Sequence, residues 1–169
     1  MASRITTLTL ETNGQVRPNP ASIIAPLEEL DFFLSLAQPL PHPMTAWEVW
    51  AKANASLPWW SRFILKFRNL VLLPFGTKPF KPTEMDIDYP PKKGAKIGSF
   101  IVETISDHKL CLIVDDKVRM GMVCVTMSAD QEDVVLTGSA ILHKRYMRWY
   151  IVIFGKMIIR IIRSAAARF

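Results

Sequence analysis

The chain has 169 residues, of which half are hydrophobic, and a formal net charge of +6 at pH 7. This length fits one domain, and the apolar content argues against a disordered chain. Because the Lys and Arg residues are scattered singly and in pairs rather than gathered in a dense run, we expect no nucleic-acid partner.

Residues 1–44 are predicted to form an N-terminal strand and a proline-rich arm, which pack on a ligand-binding domain of residues 45–169 to give a single domain overall. The polarity of residues 1–12 alternates as in one short strand. The segment from Ala25 to Ala37 carries apolar residues at helical spacing and predicts a short helix between prolines. The remainder of the arm is expected to be irregular.

Two helices are expected after the arm. The segment Thr45-Ala-Trp-Glu48 has the pattern of a capping box, and Pro58 ends the helix that follows. Pro58 also suits the first turn of a second helix, which Pro74 and Gly76 terminate. In this second helix the apolar face is predicted to consist of Trp60, Ile64, Phe67 and Val71.

From Gly98 the hydrophobic period changes to two, which predicts four strands joined by short polar turns and therefore an antiparallel meander. Asp115 and Asp116 fit one of these turns, with a paired-carboxylate or metal site as the alternative. Gly121 and Gly138 inside strands predict bulges or bends. The four strands are Ser99–Ile105, Lys109–Val114, Val118–Met127 and Val134–His143.

The two cysteines, Cys111 and Cys124, both lie in predicted strands. Buried free thiols are the expected state, and a bridge between adjacent strands is the alternative.

A helix of about twenty residues is predicted from Tyr146, because cations form a basic stripe within one arc and apolar side chains fill much of the rest. The basic stripe consists of Arg145, Arg148, Lys156, Arg160 and Arg163. The sequence thus predicts a cofactor-free α+β domain, in which a curved antiparallel sheet wraps around this long C-terminal helix and encloses an apolar pocket. The longest uncharged run near the C-terminus, Trp149 to Gly155, is far shorter than the ~20 apolar residues of a membrane span. With no secretory signal visible either, we expect a soluble, cytoplasmic protein.

An ordered set of short motifs resembles the DUF2867 family over roughly residues 45–165. The family is similar to the START/Bet v 1-like, helix-grip group, whose members hold apolar ligands, and the resemblance implies such a fold and pocket here. The chain departs from the family pattern at Val118–Met120 and Ile153–Gly155, which predicts a pocket more apolar than the family norm. The motifs are Leu57-Pro-Trp-Trp, Arg68-Asn69, Pro74-Phe-Gly76, Gly94-Ala-Lys-Ile-Gly98-Ser-Phe100, Val114-Asp-Asp-Lys117 and His143-Lys-Arg-Tyr146.

The chain has no phosphate-binding loop, no nucleophile elbow and only three scattered histidines. We therefore expect no cofactor and no metal. The candidate catalytic residues are polar groups suited to holding a carbonyl or carboxylate: Arg68, Arg119, His143, Tyr146 and Tyr150. The predicted lining of the apolar pocket is Trp50, Trp60, Phe67, Met120, Met122, Phe154 and Met157.

Two functions follow from this inventory. The first is a cofactor-independent cyclase or isomerase of secondary metabolism, including pericyclic chemistry of the Diels–Alder type, acting on a hydrophobic natural-product intermediate. The second is a non-catalytic carrier or sensor of a lipid-like ligand. In either case the partner is a hydrophobic small molecule, with peripheral membrane contact through the basic stripe of the C-terminal helix as a weaker expectation. The sequence leaves open whether the protein forms a homodimer.

Overall fold

The computed structural model describes residues 22–57, 59–77, 79, 90–128, 132–144 and 148–149. Within these ranges six strands form one antiparallel sheet in the order β1-β6-β5-β4-β3-β2. The strands are β1 (Phe32–Pro39), β2 (Lys96–Ile97), β3 (Phe100–Ile105), β4 (Lys109–Asp115), β5 (Arg119–Met127) and β6 (Asp133–Leu142).

The meander predicted from the period of two is confirmed, since β3 to β6 pair in sequence order with bounds close to those expected. Short polar connections leave room only for hairpins. In the described strands, the register shift lies between Val102 and Thr104 of the β3–β4 pair. The β5–β6 ladder continues through Gly121 and Gly138 without a shift, so bulges at these glycines were wrong, and the alternative of bends stays a prediction.

The helix predicted from Ala25 to Ala37 was also wrong. A 3-10 turn spans Leu27–Glu29, and β1 then pairs along its whole length with β6, from Phe32 opposite Ala140 to Pro39 opposite Asp133. β1 is an edge strand of the sheet and ends at Pro39, a position that tolerates a missing backbone donor.

Two helices precede the meander, α1 (Ala46–Ala55) and α2 (Trp59–Leu72). The predicted capping box of α1 is confirmed: the Glu48 amide donates to Thr45 Oγ1 at 3.2 Å, and the Thr45 amide donates to Glu48 Oε2 at 2.6 Å. α1 contacts β4 and β5. Its Trp47 and Val49 pack in the main core with residues of β3 to β6, among them Val102, Leu110, Leu112, Val125 and Val134.

The predicted fold class was wrong. The described residues form a six-stranded antiparallel sheet with two short helices of 10 and 14 residues, and this part of the chain contains no long C-terminal helix. α1 packs on one face of the sheet, and Leu72 of α2 packs on Val118 and Leu142 at the same face, which we call the helix-covered face. The predicted C-terminal helix lies outside the described residues, apart from Arg148 and Trp149, which are helical.

The opposite face of the sheet carries the side chains that alternate with those of the core. Ser22 and Ile24 lie against it: Ser22 Oγ is 3.4 Å from Thr126 Oγ1, and the Ile24 amide donates to Ser139 Oγ at 3.1 Å. Both faces of the sheet centre are therefore covered.

Cys111 and Cys124 are buried on this opposite face and form a disulfide. They are register partners on β4 and β5, with Cα atoms 4.2 Å apart. The expectation of free thiols was wrong, and the alternative of a bridge between adjacent strands is what the structure has. The register explains the disulfide, because directly opposed residues of an antiparallel pair have Cβ atoms close enough for their two sulfur atoms to bond.

None of the helices within the described ranges combines the length and apolar character that crossing a membrane would require.

Candidate functional site

The polar candidates of α2, β5 and β6 lie at one end of the sheet, which we call the hairpin end. It comprises the β4–β5 turn at residues 116–118, the adjoining ends of β1 and β6, and the C-terminal part of α2. Its turn is built by Asp116, whose Oδ1 accepts the amides of Val118 at 2.9 Å and Arg119 at 3.0 Å. This is the local side-chain-to-backbone bonding for which Asp is favoured in turns. The interpretation of Asp116 as a turn residue is therefore the one that the geometry fits.

Arg119 begins β5 on the helix-covered face. It is the register partner of Leu142, and opposed residues of an antiparallel pair share a face. Its Nε lies 3.8 Å from Asp116 Oδ2, and both side chains are largely buried. The turn thus places one guanidinium group beside a carboxylate at the start of β5.

Arg68 is the second arginine of this site and lies on α2. The inner face of this helix consists of Ser61, Leu65, Arg68 and Leu72, and Arg68 is only 3% exposed. The Arg68 guanidinium donates through Nη1 to Asn69 Oδ1 at 2.9 Å. The predicted inner face of α2, centred on Trp60 and Phe67, was wrong by about one residue, or ~100° of rotation.

The contacts of Leu72 show that Arg68 and Arg119 belong to the same end of the sheet, the hairpin end. Leu72 follows Arg68 by one turn and packs on Val118 and Leu142. Leu142 is the register partner of Arg119, so both arginines neighbour the contact that Leu72 makes with the sheet at the hairpin end. The neighbouring side chains in this cluster are apolar, with Phe32 and Val71 at its margin.

Gly76, just after α2, lies close to the side chain of Lys117 in the β4–β5 turn. It follows the 3-10 turn Leu73–Phe75 with a φ of 81°, a left-handed conformation suited to glycine. A Cβ atom at this position would lie 2.9 Å from Cδ of Lys117. The backbone that follows α2 therefore approaches the Lys117 side chain of the turn closely.

His143 lies at the same end of the sheet but on its other side. It follows Leu142 directly, and its Nε2 is 3.1 Å from Oδ1 of Asp115, with side chains 43% and 61% exposed. Since successive strand residues alternate between faces, this pair lies away from Arg68 and Arg119. The structure therefore brings three predicted site residues to one end without bringing all three to one face.

A further ion pair joins the start of β1 to Arg148. Asp31 Oδ2 accepts the Leu142 amide at 2.9 Å, and its Oδ1 accepts from Arg148 Nη2 at 3.3 Å. Asp31 was missed by sequence reasoning because the surrounding segment was interpreted as a helix. A strand interpretation, together with the pairing of that strand with β6, would have been needed to place this carboxylate beside the end of β6.

The predicted pocket residues do not form one lining within the described residues. Trp50 packs against the core and meets Phe100 edge to face at 6.1 Å between ring centroids. Trp60 is half-buried, Phe67 is exposed, and Met120 and Met122 lie on the opposite face, because they alternate with the Gly121 and Val123 positions. The predicted site residues that lie outside the described residues are Tyr146, Tyr150, Phe154 and Met157.

Among the described residues, no group of three or more His, Cys, Asp or Glu side chains is arranged to hold a metal ion. What the hairpin end can offer chemically is charge-assisted hydrogen bonding from two guanidinium groups in an apolar setting.

No protein-family model, curated protein or solved structure matches the chain.

Proposed function

We propose that the protein binds a hydrophobic small molecule that carries a carboxylate or carbonyl head group at the hairpin end. The observation that carries this proposal is that Arg68, buried on α2, and Arg119, opposite Leu142 in the sheet, both neighbour the apolar cluster of Leu72, Val118 and Leu142. A guanidinium group binds a carboxylate with two parallel hydrogen bonds, and such bonds strengthen where water is excluded.

The apolar neighbours suit the remainder of such a ligand. Burial of an aliphatic or polyene tail of the ligand lowers the binding free energy by about 25 cal/mol for each Å² of apolar surface removed from water. The tail would therefore supply affinity, and the arginines would orient the head group. The ordered motifs that resemble DUF2867 support the same ligand class, and we retain membership of that family as a proposal.

A second candidate is the cofactor-independent cyclase or isomerase, including a Diels–Alder type of reaction. Two buried guanidinium groups can stabilise negative charge that develops on a carbonyl oxygen, and holding a flexible substrate in its reactive shape lowers the barrier further. His143 and Asp115 lie on the other face, which favours shape-driven catalysis over proton transfer. A carrier, which releases its ligand unchanged, would use the same two guanidinium groups to hold it.

Binding of cis-parinaric acid and of its methyl ester, followed by fluorescence, tests the proposal. Arg68→Met and Arg119→Met are each expected to weaken binding of the acid about tenfold or more, since hydrogen bonds to charged groups contribute about 1.5–3 kcal/mol. Binding of the ester should change much less. Arg62→Met removes an exposed cation from the same helix and is the matched control. Failure of the wild type to bind the acid, or equal losses for acid and ester, would contradict the proposal.

Product analysis separates the two candidates. Polyenes with a carbonyl head group are incubated with the protein and examined by chiral chromatography and mass spectrometry. A cyclase produces one stereoisomer at a rate that Arg119→Met lowers, whereas a carrier returns the polyene unchanged. Native mass spectrometry of the purified protein identifies any ligand retained from the cell.

A further inference from the structure

The solvent-facing side of α2 is apolar. Trp59, Phe63, Phe67 and Leu70 are all strongly exposed, from 59% for Phe67 to 74% for Trp59. At 3.6 residues per turn these four side chains fall within an arc of about 80°, opposite the buried Arg68. Leu73 and Phe75 continue the exposed apolar surface beyond the helix end. We call these six residues the outer patch.

Such a patch is unusual on a helix whose inner face also packs on a sheet. The exposed side of a helix in a monomeric domain is ordinarily polar. Here the polar Ser61 and Arg68 lie inside with Leu65 and Leu72, while four large apolar side chains of the helix lie outside. Trp59 and Phe63 meet edge to face at 6.0 Å, so these two rings form one shared apolar surface.

The charges of α2 indicate what covers the patch. Arg62 and Lys66 are exposed and flank the apolar arc on one side, and the helix contains no acidic residue. An aromatic and aliphatic face with cations at its edge is the composition of helices that lie in the plane of a membrane interface. There the rings enter the headgroup region while the cations meet lipid phosphates.

The helix dimensions fit the same partner. From Trp59 to Leu73 the axis is ~21 Å long, which is too short to cross a bilayer but sufficient to lie along its surface. A two-fold contact between copies fits less well. Lys66 lies midway along the patch, so an antiparallel pair of α2 helices would bring Lys66 against the same residue of the second copy, with no acidic residue of α2 to compensate.

We propose that the outer patch of α2 docks the protein on an anionic membrane surface. This surface is distinct from the basic stripe predicted for the C-terminal helix, and the proposal does not depend on ligand binding at the hairpin end. A hydrophobic ligand would nonetheless reach the protein most readily from such a surface.

Co-sedimentation tests the proposal, with vesicles of phosphatidylcholine and with vesicles in which phosphatidylglycerol replaces part of it. The wild type is expected to bind the mixed vesicles at least about tenfold more strongly, and added salt should weaken the binding. Phe63→Ser combined with Phe67→Ser should abolish it. Ile101→Ser removes an exposed apolar side chain of β3 outside the patch and should leave it unchanged.

Charge reversal gives an independent test that leaves the core intact. Arg62→Glu combined with Lys66→Glu is expected to reduce binding to the mixed vesicles about tenfold or more, whereas Lys92→Glu combined with Lys96→Glu, at exposed positions elsewhere, should reduce it much less. Equal losses in the two double variants, or no vesicle binding by the wild type, would overturn the proposal. So would dimerisation in solution that the Phe63 and Phe67 changes abolish, because the patch would then belong to a second copy.

Discussion

Cys111 of β4 and Cys124 of β5 stand directly opposite each other and are joined by a disulfide on the face of the sheet that α1 and α2 do not cover. The bond closes a loop with a sequence separation of 13 residues that contains the β4–β5 turn. It therefore links the two strands that carry Asp116 and Arg119 into the hairpin end. Cross-links of this kind lower the entropy of the unfolded chain.

Loss of the disulfide is expected to lower the free energy of unfolding by ~3 kcal/mol, the value typical of a loop of this size. Urea unfolding of the wild type with and without reductant, beside the Cys111→Ala/Cys124→Ala double variant, measures this change. Because both sulfurs are buried, reductant should act on the wild type only under unfolding conditions. A double variant as stable as the oxidised wild type would contradict the expectation.

Asp116 is expected to contribute through its turn more than through its charge. Asp116→Ala removes the acceptor of the Val118 and Arg119 amides and should lower the free energy of unfolding by about 1–3 kcal/mol. Asp116→Asn retains an acceptor oxygen and serves as the matched control. If the Asn variant is as unstable as the Ala variant, the carboxylate charge beside Arg119 is the larger contribution. Chemical denaturation of the three proteins decides between these outcomes.

Gly76→Ala tests the contact between the end of α2 and the β4–β5 turn. An alanine in a left-handed conformation costs about 1–2 kcal/mol, and the new Cβ would also press on the Lys117 side chain. Gly94→Ala is the matched control, because Gly94 has a φ of 82° and an added Cβ atom there would meet nothing within 4 Å. We expect Gly76→Ala to lower the melting temperature more, and Lys117→Ala to reduce the difference. Equal decreases in melting temperature for Gly76→Ala and Gly94→Ala would show that the approach to Lys117 does not affect stability.

The capping box of α1 gives a prediction about stability away from the site. Thr45→Ala should cost about 1 kcal/mol, because the Glu48 amide loses its acceptor. Glu48→Ala removes the reciprocal bond, and the double variant should cost less than the sum of the single changes. Additive losses in equilibrium unfolding would contradict a coupled cap. Thr104→Ala, at an exposed position of β3, controls for the loss of a threonine side chain.

The meander and the cap could be predicted from the sequence because their signals are local. Each strand of the meander shows its own alternation, and each short turn restricts the next strand to antiparallel pairing. Thr45 and Glu48 are three residues apart, so their mutual bonding needs no partner elsewhere in the chain. For the same reason Asp116 could be assigned to a turn.

The strand β1 shows where local patterns were ambiguous. Leu27, Leu30, Phe33 and Leu34 have helical spacing, while Phe32, Leu34 and Leu36 alternate as in a strand. The strand prevails because pairing with the distant β6 satisfies the backbone groups of this segment, and that partner lies about a hundred residues away along the chain.

By itself, then, the sequence determined where the strands of the meander and the helices α1 and α2 occur. The tertiary structure decided which side of each element is buried. The composition of α2 predicted Phe67 inside. Instead Leu72 packs on Val118 and Leu142, and Arg68, one turn before it, is buried while Phe67 is exposed. Such a rotation depends on the shape and charge of surfaces that only the assembled sheet provides, and it places Arg68 beside the same apolar cluster as Arg119 while exposing the outer patch.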